Sequence, residues 1–303
     1  MWLIPVFLKV LFGNIVTPIV LKKVTSQGSR SRRFRSQYIF ASVLVWATVL
    51  LMSGGNIAWP SFGLVLLIGF LQSFGTYCYW HAIKISVSKT AVTTQFDDLL
   101  GMIMGYGFLG EAYYLRNAPL ATGIALSLAS VFVYVWLRVT VKKGDANSEL
   151  ARQTSDSDRA LAMWVAGYSV LWGLAYFSLR FFALREVPHS TFLPAWYTGA
   201  LIGSQVVFWT AGEKERGERL TVRDHLASGL LAVLIVSSLA FQYWASKLTP
   251  ITVHQPIYQV TEMIFPALIG LFYFKEIKAL TKSGKAAFVL GAVGMLLIAM
   301  SYR

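Results

Sequence analysis

Apolar segments of helix length alternate with short polar joints along the whole chain. Each segment has about 17–25 residues, which is the length that a helix needs to cross the hydrocarbon core of a bilayer. Glycine or proline stands at many of the joints, where helices end readily. The pattern therefore predicts ten membrane-spanning helices, at residues 2–21, 38–54, 62–83, 90–110, 119–141, 160–182, 190–211, 226–246, 251–273 and 286–302.

The longest polar stretch divides these helices into two sets of five. Residues 143–159 are rich in Ser, Asp and Lys, which is typical of a solvated linker between units 1–142 and 160–303. The units share features, including Phe12-Gly13 and Trp172-Gly173 in their first helices. Because five is an odd number, the second unit must enter the membrane upside down. We predict an all-α membrane protein with ten transmembrane helices arranged as two inverted five-helix repeats.

Composition supports a membrane environment. The chain is 56% hydrophobic and 14% charged, whereas soluble domains carry about 25% charged residues. Its net charge of +13 falls between the apolar segments and not along one face, which favours a lipid bilayer as partner and argues against nucleic acid. The lone Cys78 can form no intrachain disulfide and gives no metal site. The first apolar segment lacks the basic start of a signal peptide, so we expect a retained helix.

Positive charge also predicts the orientation. Most of the 27 Lys and Arg residues lie in the joints that follow the odd-numbered helices. The positive-inside rule then places both termini outside and the run at residues 30–35 in the cytoplasm. The plasma (inner) membrane is the default location.

Two acids lie deep inside apolar segments at equivalent places in the two units. They are Asp97 and Glu262, and a carboxylate in a membrane helix costs roughly 2.5–3.5 kcal/mol at the centre, so it is a candidate for function. Such an acid can carry a proton, balance a cation or bind a substrate amine. Alternatively, it is a structural acid paired with Lys9 or His254, or the helix begins later than predicted. Asp98 points about 100° away from Asp97 on a helix, so at most one of them faces a central cavity squarely. Asp97 is favoured because Glu262 repeats it.

Other polar and aromatic residues can join this site. Lys9 can pair with an acid or extend to the surface, and His254 can relay protons or serve as a hydrogen-bonded structural residue. Aromatic residues at four-residue spacing in the sixth helix can line a cavity or pack between helices: Trp164, Tyr168, Trp172 and Tyr176. Further candidates for the cavity are Trp196, Tyr197, Gln242, Tyr258 and Gln259. The predicted substrate or proton site comprises Asp97, Glu262, Lys9, His254, Trp172, Tyr168, Tyr258 and Gln259.

Residues near helix ends have simpler expected roles. Glu111 and Glu276 end the fourth and ninth helices, where we expect them to cap a helix or to pair with Arg116 or Lys278. Three more residues are expected at the membrane interface: Trp80, His81 and Trp244.

The ordered motifs resemble the drug/metabolite transporter superfamily, specifically its ten-helix EamA type. Leu109-Gly110-Glu111 and Phe274-Lys275-Glu276 resemble the Gly-Glu ending that follows the family's fourth helix. Gly284 and Gly291 match the glycines of its last helix. The resemblance covers nearly the whole chain. It implies a secondary transporter or exporter of small metabolites, with a cavity between the two repeats.

The predicted function is alternating-access transport of a small metabolite of the amino acid, nucleoside or organic cation class. HExxH, CxxC, GxSxG and Walker-type motifs are absent from the sequence, so we expect no enzyme, cofactor, metal or ATP-driven pump. Two close carboxylates disfavour each other's charged form, which makes proton coupling reasonable. The alternatives are a membrane-embedded sensor or scaffold, or a lipid-handling protein without solute flux. The oligomeric state stays open.

Overall fold

The structure is a computed structural model that describes residues 2–25, 30–53, 57–87, 90, 94–140, 149–217, 219–274 and 282–302. Across these ranges the regular structure is helical, without a strand. The long helices are α1 (Leu3–Thr25), α2 (Arg30–Ser53), α3 (Trp59–Ile85), α4 (Phe96–Phe108), α5 (Ala118–Thr140), α6 (Glu149–Leu184), α7 (His189–Thr210), α8 (Val222–Leu248), α9 (Ile251–Leu268) and α10 (Lys282–Ser301).

Shorter and wider turns interrupt this pattern. A π-helical stretch, Val10–Val16, lies within α1, and a second one, Ile269–Tyr273, follows α9 directly. Glu111–Arg116 forms a 3₁₀ helix after α4, and Glu213–Arg216 forms a single helical turn after α7. Wide π turns are rare and occur often at functional sites, so the one in α1 marks a place to look for chemistry.

Helix boundaries follow the local sequence. Pro188 and Pro250 precede α7 and α9 in an extended conformation, which suits a residue that cannot continue a helix. Thr221 and Asp224 form a reciprocal capping box at the start of α8. Gly110, with φ of 69°, makes the left-handed turn between α4 and the 3₁₀ helix.

The surface of the protein is apolar while much of its interior is polar. Among the described residues, five helices are long and apolar enough to cross a membrane, namely α1, α2, α3, α6 and α8. Leu51 and Met52 are 85% and 83% exposed, whereas Asp97, Asp98 and Gln259 are fully buried. Side chains distributed in this way match an apolar solvent, as expected for a membrane protein.

The described helices run up and down between two ends. At one end Lys22, near the end of α1, donates to the carbonyl of Ile83 near the end of α3 at 3.0 Å. Arg33 at the start of α2 pairs there with Asp224 at the start of α8 at 2.7 Å. We call this the basic end. At the opposite end the backbone N–H of Ala58, just before α3, donates to Thr191 in the first turn of α7 at 2.8 Å.

Helix contacts connect the two halves of the chain closely. The main pairs are α3 with α7 and α6, α2 with α7 and α8, α1 with α8 and α9, α4 with α6 and α9, and α5 with α10 and α9. Glycine permits the closest crossing, between α3 and α7. A Cβ at Gly69 would lie 2.1 Å from the carbonyl oxygen of Trp196, and one at Gly199 would lie 1.9 Å from that of Leu66. Small residues at such crossings let helix backbones approach.

Three predicted boundaries differ clearly from the structure. The second helix, predicted at 38–54, already begins as α2 at Arg30. The fourth helix, predicted at 90–110, begins as α4 only at Phe96, with Asp97 and Asp98 in its first turn. Acids are favourable there because the N-terminus of a helix carries partial positive charge. The predicted linker, 143–159, is helical from Glu149 onward and continues into α6, because Glu, Leu, Ala, Arg and Gln are good helix formers. Glu276 and Lys278 lie outside the described residues.

Candidate functional site

A buried ion pair joins α1 to α9. The ammonium of Lys9 contacts the Glu262 carboxylate, and their side chains are only 4% and 18% exposed. Lys9 also donates to Asn14 Oδ1 at 3.0 Å and lies 4.2 Å from the ring centre of Tyr258. Three kinds of partner therefore hold one cation. Two alternatives were predicted for Lys9, pairing with an acid or extension to the surface. The structure has the first, and the partner is Glu262.

The π-helical stretch of α1 positions Asn14 for this contact. Asn14 is buried, accepts from Lys9 and donates through Nδ2 to Thr261 Oγ1 at 2.8 Å. Thr261 precedes Glu262 on α9, so one amide links the cation to the helix that carries its carboxylate. The site thus consists of two short segments, one from each half of the chain.

Asp97 and Asp98 face different neighbours. Both are buried in the first turn of α4. Asp97 lies within electrostatic range of Glu262 and Lys9 and beside Tyr168. Asp98 accepts a hydrogen bond from the side chain of Gln255 on α9 and also lies within electrostatic range of Glu262 and Lys9. Both acids therefore belong to the charge cluster around the ion pair, and they differ in their hydrogen-bond partners. Asp97 stands behind the cavity wall described next and does not line it.

A cavity of about 130 Å³ opens beside the ion pair. Residues of α1, α2, α3, α6, α7, α8 and α9 form its wall, so both halves of the chain contribute. Four predicted site residues line it: Lys9, Tyr168, Trp172 and Glu262. Three weaker candidates line it as well: Trp196, Tyr197 and Gln242. The wall combines aromatic faces with amide groups and one ion pair, which suits a small organic solute with polar groups.

The aromatic stripe of α6 is divided between two environments. Tyr168, Trp172 and Tyr176 line the cavity, with successive ring centres 6.0 and 5.3 Å apart. Trp164, one turn earlier, stacks instead on His81 of α3, with ring centres 4.2 Å apart. Both sequence alternatives, a cavity wall and helix packing, therefore apply to different parts of the same stripe.

Besides Asp97, three predicted site residues do not line the cavity. Tyr258 contacts Lys9 from behind the wall. Gln259 donates to the backbone carbonyl of Gln95 at 3.1 Å, which joins α9 to the turn before α4. His254 is buried near the opposite end, where Nδ1 lies 3.1 Å from Thr249 Oγ1. The structural alternative for His254 fits this geometry, because its hydrogen-bond partners are neighbouring hydroxyls.

Sequence reasoning missed several cavity residues. Gln37 and Tyr38 of α2 and Gln72, Thr76 and Tyr79 of α3 all line the cavity. Polar residues inside an apolar helix were the available signal, most clearly Gln72. Trp80 was expected at the membrane interface, but it is 1% exposed and forms part of the wall. That prediction was wrong, because the position of Trp80 near the end of α3 does not reveal which side of the helix faces inward.

A second buried ion pair closes the opposite end of the helix bundle. Arg180 Nε, near the end of α6, donates to Glu111 Oε1 at 2.7 Å. Arg180 also donates to the carbonyl of Ser246 at the end of α8, and Glu111 accepts from the backbone N–H of Thr252 at 3.2 Å. The expected partner of Glu111, Arg116, is not the one found, because the 3₁₀ helix turns the buried carboxylate inward. This cluster ties the segment after α4 to α6, α8 and α9.

Comparison with known proteins supports the fold. No protein-family model matches the chain, and no curated protein matches its sequence. Eight chains of solved structure do match. One, described as the crystal structure of a protein, has a TM-score of 0.66 and 16% identity over 100% of this chain and 98% of its own. At that identity the likeness concerns the fold alone, over the full length of both chains.

Proposed function

We propose that the chain is a secondary transporter of a small metabolite, with its solute path between the two five-helix halves. One observation carries this proposal: both halves line a cavity that contains the buried Lys9–Glu262 pair. Buried ion pairs contribute little net stability. Ionisable groups inside membrane segments are rare and usually mark substrate, ion or proton pathways.

The pattern of helix contacts supports ten spans in two inverted repeats. If α1–α5 correspond to α6–α10, exchanging the halves converts the α3–α7 contact into α8–α2, and the α3–α6 contact into α8–α1. Both members of each pair occur. The contacts α2–α7, α4–α9 and α5–α10 map onto themselves and also occur. A pseudo-two-fold axis between the halves would have this consequence, and five helices in each half would place that axis in the membrane plane. The resemblance to EamA-type transporters rests on sequence motifs such as Leu109-Gly110-Glu111.

The unequal ends of the molecule support alternating access. The cavity reaches from Lys9 along α1 to Leu21, near the basic end. The opposite end is held by Arg180 and Glu111. We infer a state open towards the basic, cytoplasmic end. Rocking of the halves would separate Arg180 from Glu111 and open the cavity to the other side.

The acids near Lys9 supply a route for proton coupling. One cation, Lys9, lies within electrostatic range of three carboxylates, those of Glu262, Asp97 and Asp98. Such a cluster is most stable when some of its carboxylates hold protons, because full ionisation leaves uncompensated buried negative charge. A solute cation that displaced one of these protons would couple its own movement to proton release.

The lining indicates the class of solute. Tyr79, Trp172, Trp196 and further aromatic residues surround the space, and Gln72 and Gln242 offer amide groups. Aromatic faces bind planar rings and organic cations, and amides bind their polar groups. Amino acids, nucleosides and organic cations all fit this chemistry, and we propose a solute from these classes.

Flux measurement tests the proposal. The protein would be reconstituted into liposomes and tested against a panel of these solutes, with and without an imposed pH gradient. Wild type is expected to transport at least one class, and Glu262→Gln is expected to reduce that flux at least tenfold. Asp97→Asn is expected to remove the response to the pH gradient, whereas the matched variant Asp98→Asn keeps it, because Asp98 pairs with Gln255.

Other outcomes would refute parts of the proposal. Flux that is equal in wild type and Glu262→Gln would mean that the ion pair is structural. Equal pH responses in Asp97→Asn and wild type would remove the coupling role of Asp97. Absence of flux for every solute, in protein that remains folded, would favour a sensor, scaffold or lipid-handling protein.

A further inference from the structure

A second cavity lies at the basic end, on the outside of the bundle. It is a groove of about 480 Å³ between the start of α2 and the segment that leads into α8. It is separate from the central cavity and shares none of its lining residues. Its wall consists of Arg32, Arg35, Ser36, Ile39, Phe40, Arg219, Leu220 and His225.

Packing holds two of its arginines in place. The guanidinium groups of Arg32 and Arg35 lie 5.5 and 4.8 Å from the ring centre of Phe208 at the end of α7. Arg32 also donates through Nε to the carbonyl of Arg216 at 2.9 Å. An arginine anchored in this way keeps its remaining N–H groups available in a fixed direction, which favours binding of an oxyanion.

The nearby acid does not neutralise the groove. Asp224 pairs with Arg33 at 2.7 Å and completes the capping box with Thr221. Arg33 points away from the groove, since it also donates to the carbonyl of Val24 at 2.8 Å. Among the described residues, the wall of the groove carries three arginines and no acid. Its net charge is therefore positive.

Apolar surface continues directly below the arginines. Ile39 and Phe40, in the groove wall, are 38% and 40% exposed. Val43 lies one turn after Ile39 on α2, and Leu226 and Leu230 follow His225 on α8; all three are also exposed. Arginine at the level of lipid headgroups and exposed aliphatic side chains at the level of acyl chains together match the two parts of a phospholipid.

We propose that this groove binds an anionic phospholipid from the cytoplasmic leaflet. Arg32, Arg35 and Arg219 contact the phosphate, while Ile39 and Phe40 contact the start of the acyl chains. The lipid would then bridge α2 of one half to α8 of the other, next to the Arg33–Asp224 pair that joins the same helices. The proposal holds for a membrane protein of any activity, so its failure would leave the proposed transport untouched.

Binding of phosphatidylglycerol to the purified full chain in neutral detergent tests this site. The groove variant Arg35→Gln/Arg219→Gln would be compared with Arg116→Gln/Arg185→Gln at the opposite end. The control is matched, since Arg116 and Arg185 are exposed and stack on aromatic rings at 5.1 and 4.2 Å. Removing two headgroup contacts is expected to weaken binding by about 10- to 30-fold. The control should bind like wild type, and phosphatidylcholine should bind weakly to all three.

A single variant and a competition assay complete the test of lipid binding. If the double variant does not fold, the exposed Arg219→Gln alone is expected to weaken binding about fivefold. Equal binding by wild type and the groove variant would overturn the proposal, as would equal losses in groove and control variants. Competition by soluble glycerol phosphate at the same concentration as the lipid would also overturn it, because the ligand would then be a free phosphate compound.

Discussion

Breaking the Arg180–Glu111 pair gives a quantitative test of the closed end. The two side chains are 10% and 3% exposed and their contact is 2.7 Å. Removing one partner of a buried ion pair costs about 3–5 kcal/mol, because the other charge stays buried without its counter-ion. Glu111→Gln should fall near the lower limit, since Arg180 keeps the Ser246 carbonyl. Arg180→Met should cost more, because Glu111 then keeps only the N–H and hydroxyl of Thr252.

A double-mutant cycle measures this interaction. The free energy of unfolding would be determined in mixed micelles for wild type, Glu111→Gln, Arg180→Met and the double variant. The double variant is expected to be more stable than the sum of the single losses predicts, by about 1–3 kcal/mol. The exposed Glu213→Gln serves as a control and should change stability by no more than about 0.5 kcal/mol. Additive losses, or a Glu111→Gln variant as stable as the control, would refute the reasoning.

Three further predictions concern packing, the cavity and orientation. Gly199→Ala should strongly reduce thermal stability, because its Cβ would lie 1.9 Å from the Leu66 carbonyl oxygen. The control Gly63→Ala has nothing within 4 Å of its Cβ and should melt at the same temperature as wild type. Equal melting temperatures of the two variants would contradict the close crossing of α3 and α7. Trp172→Leu should weaken solute binding by about tenfold through lost aromatic contact. Trp164→Leu, outside the cavity, should bind the solute like wild type. Titration of each variant with the transported solute measures the two affinities. A reporter fused to the C-terminus should be accessible outside intact cells, and a cytosolic reporter would contradict the assignment of the basic end to the cytoplasm.

The sequence predicted helices better than their contacts. Long apolar segments define helices because backbone groups inside a membrane must be hydrogen-bonded within the segment. The start of α4 was placed too early because the polar residues before Phe96 interrupt the apolar pattern only weakly. The helical part of the linker was missed because composition alone does not separate a solvated helix from a loop.

The site, too, was predicted better in its residues than in their contacts. Lys9, Glu262 and Asp97 could be found because charge is costly in an apolar segment. Pairing of a buried acid with Lys9 was one alternative, but the sequence could not identify Glu262 as the partner, since 253 positions separate the two residues. His254 and Gln259 were placed with the cavity because they are polar residues in the same apolar segment as Glu262. The sequence does not give the direction in which each side of that helix faces its neighbours.

Access to the central cavity from both sides of the membrane tests the central claim most directly. Ser238 lines the cavity on α8, so Ser238→Cys in a background of Cys78→Ala places one thiol there. Its modification by a membrane-impermeant reagent would be followed in right-side-out and inside-out vesicles, with and without the transported solute. We predict modification from both sides, at rates that the solute changes in opposite directions. Modification from one side only, at a rate independent of solute, would contradict alternating access.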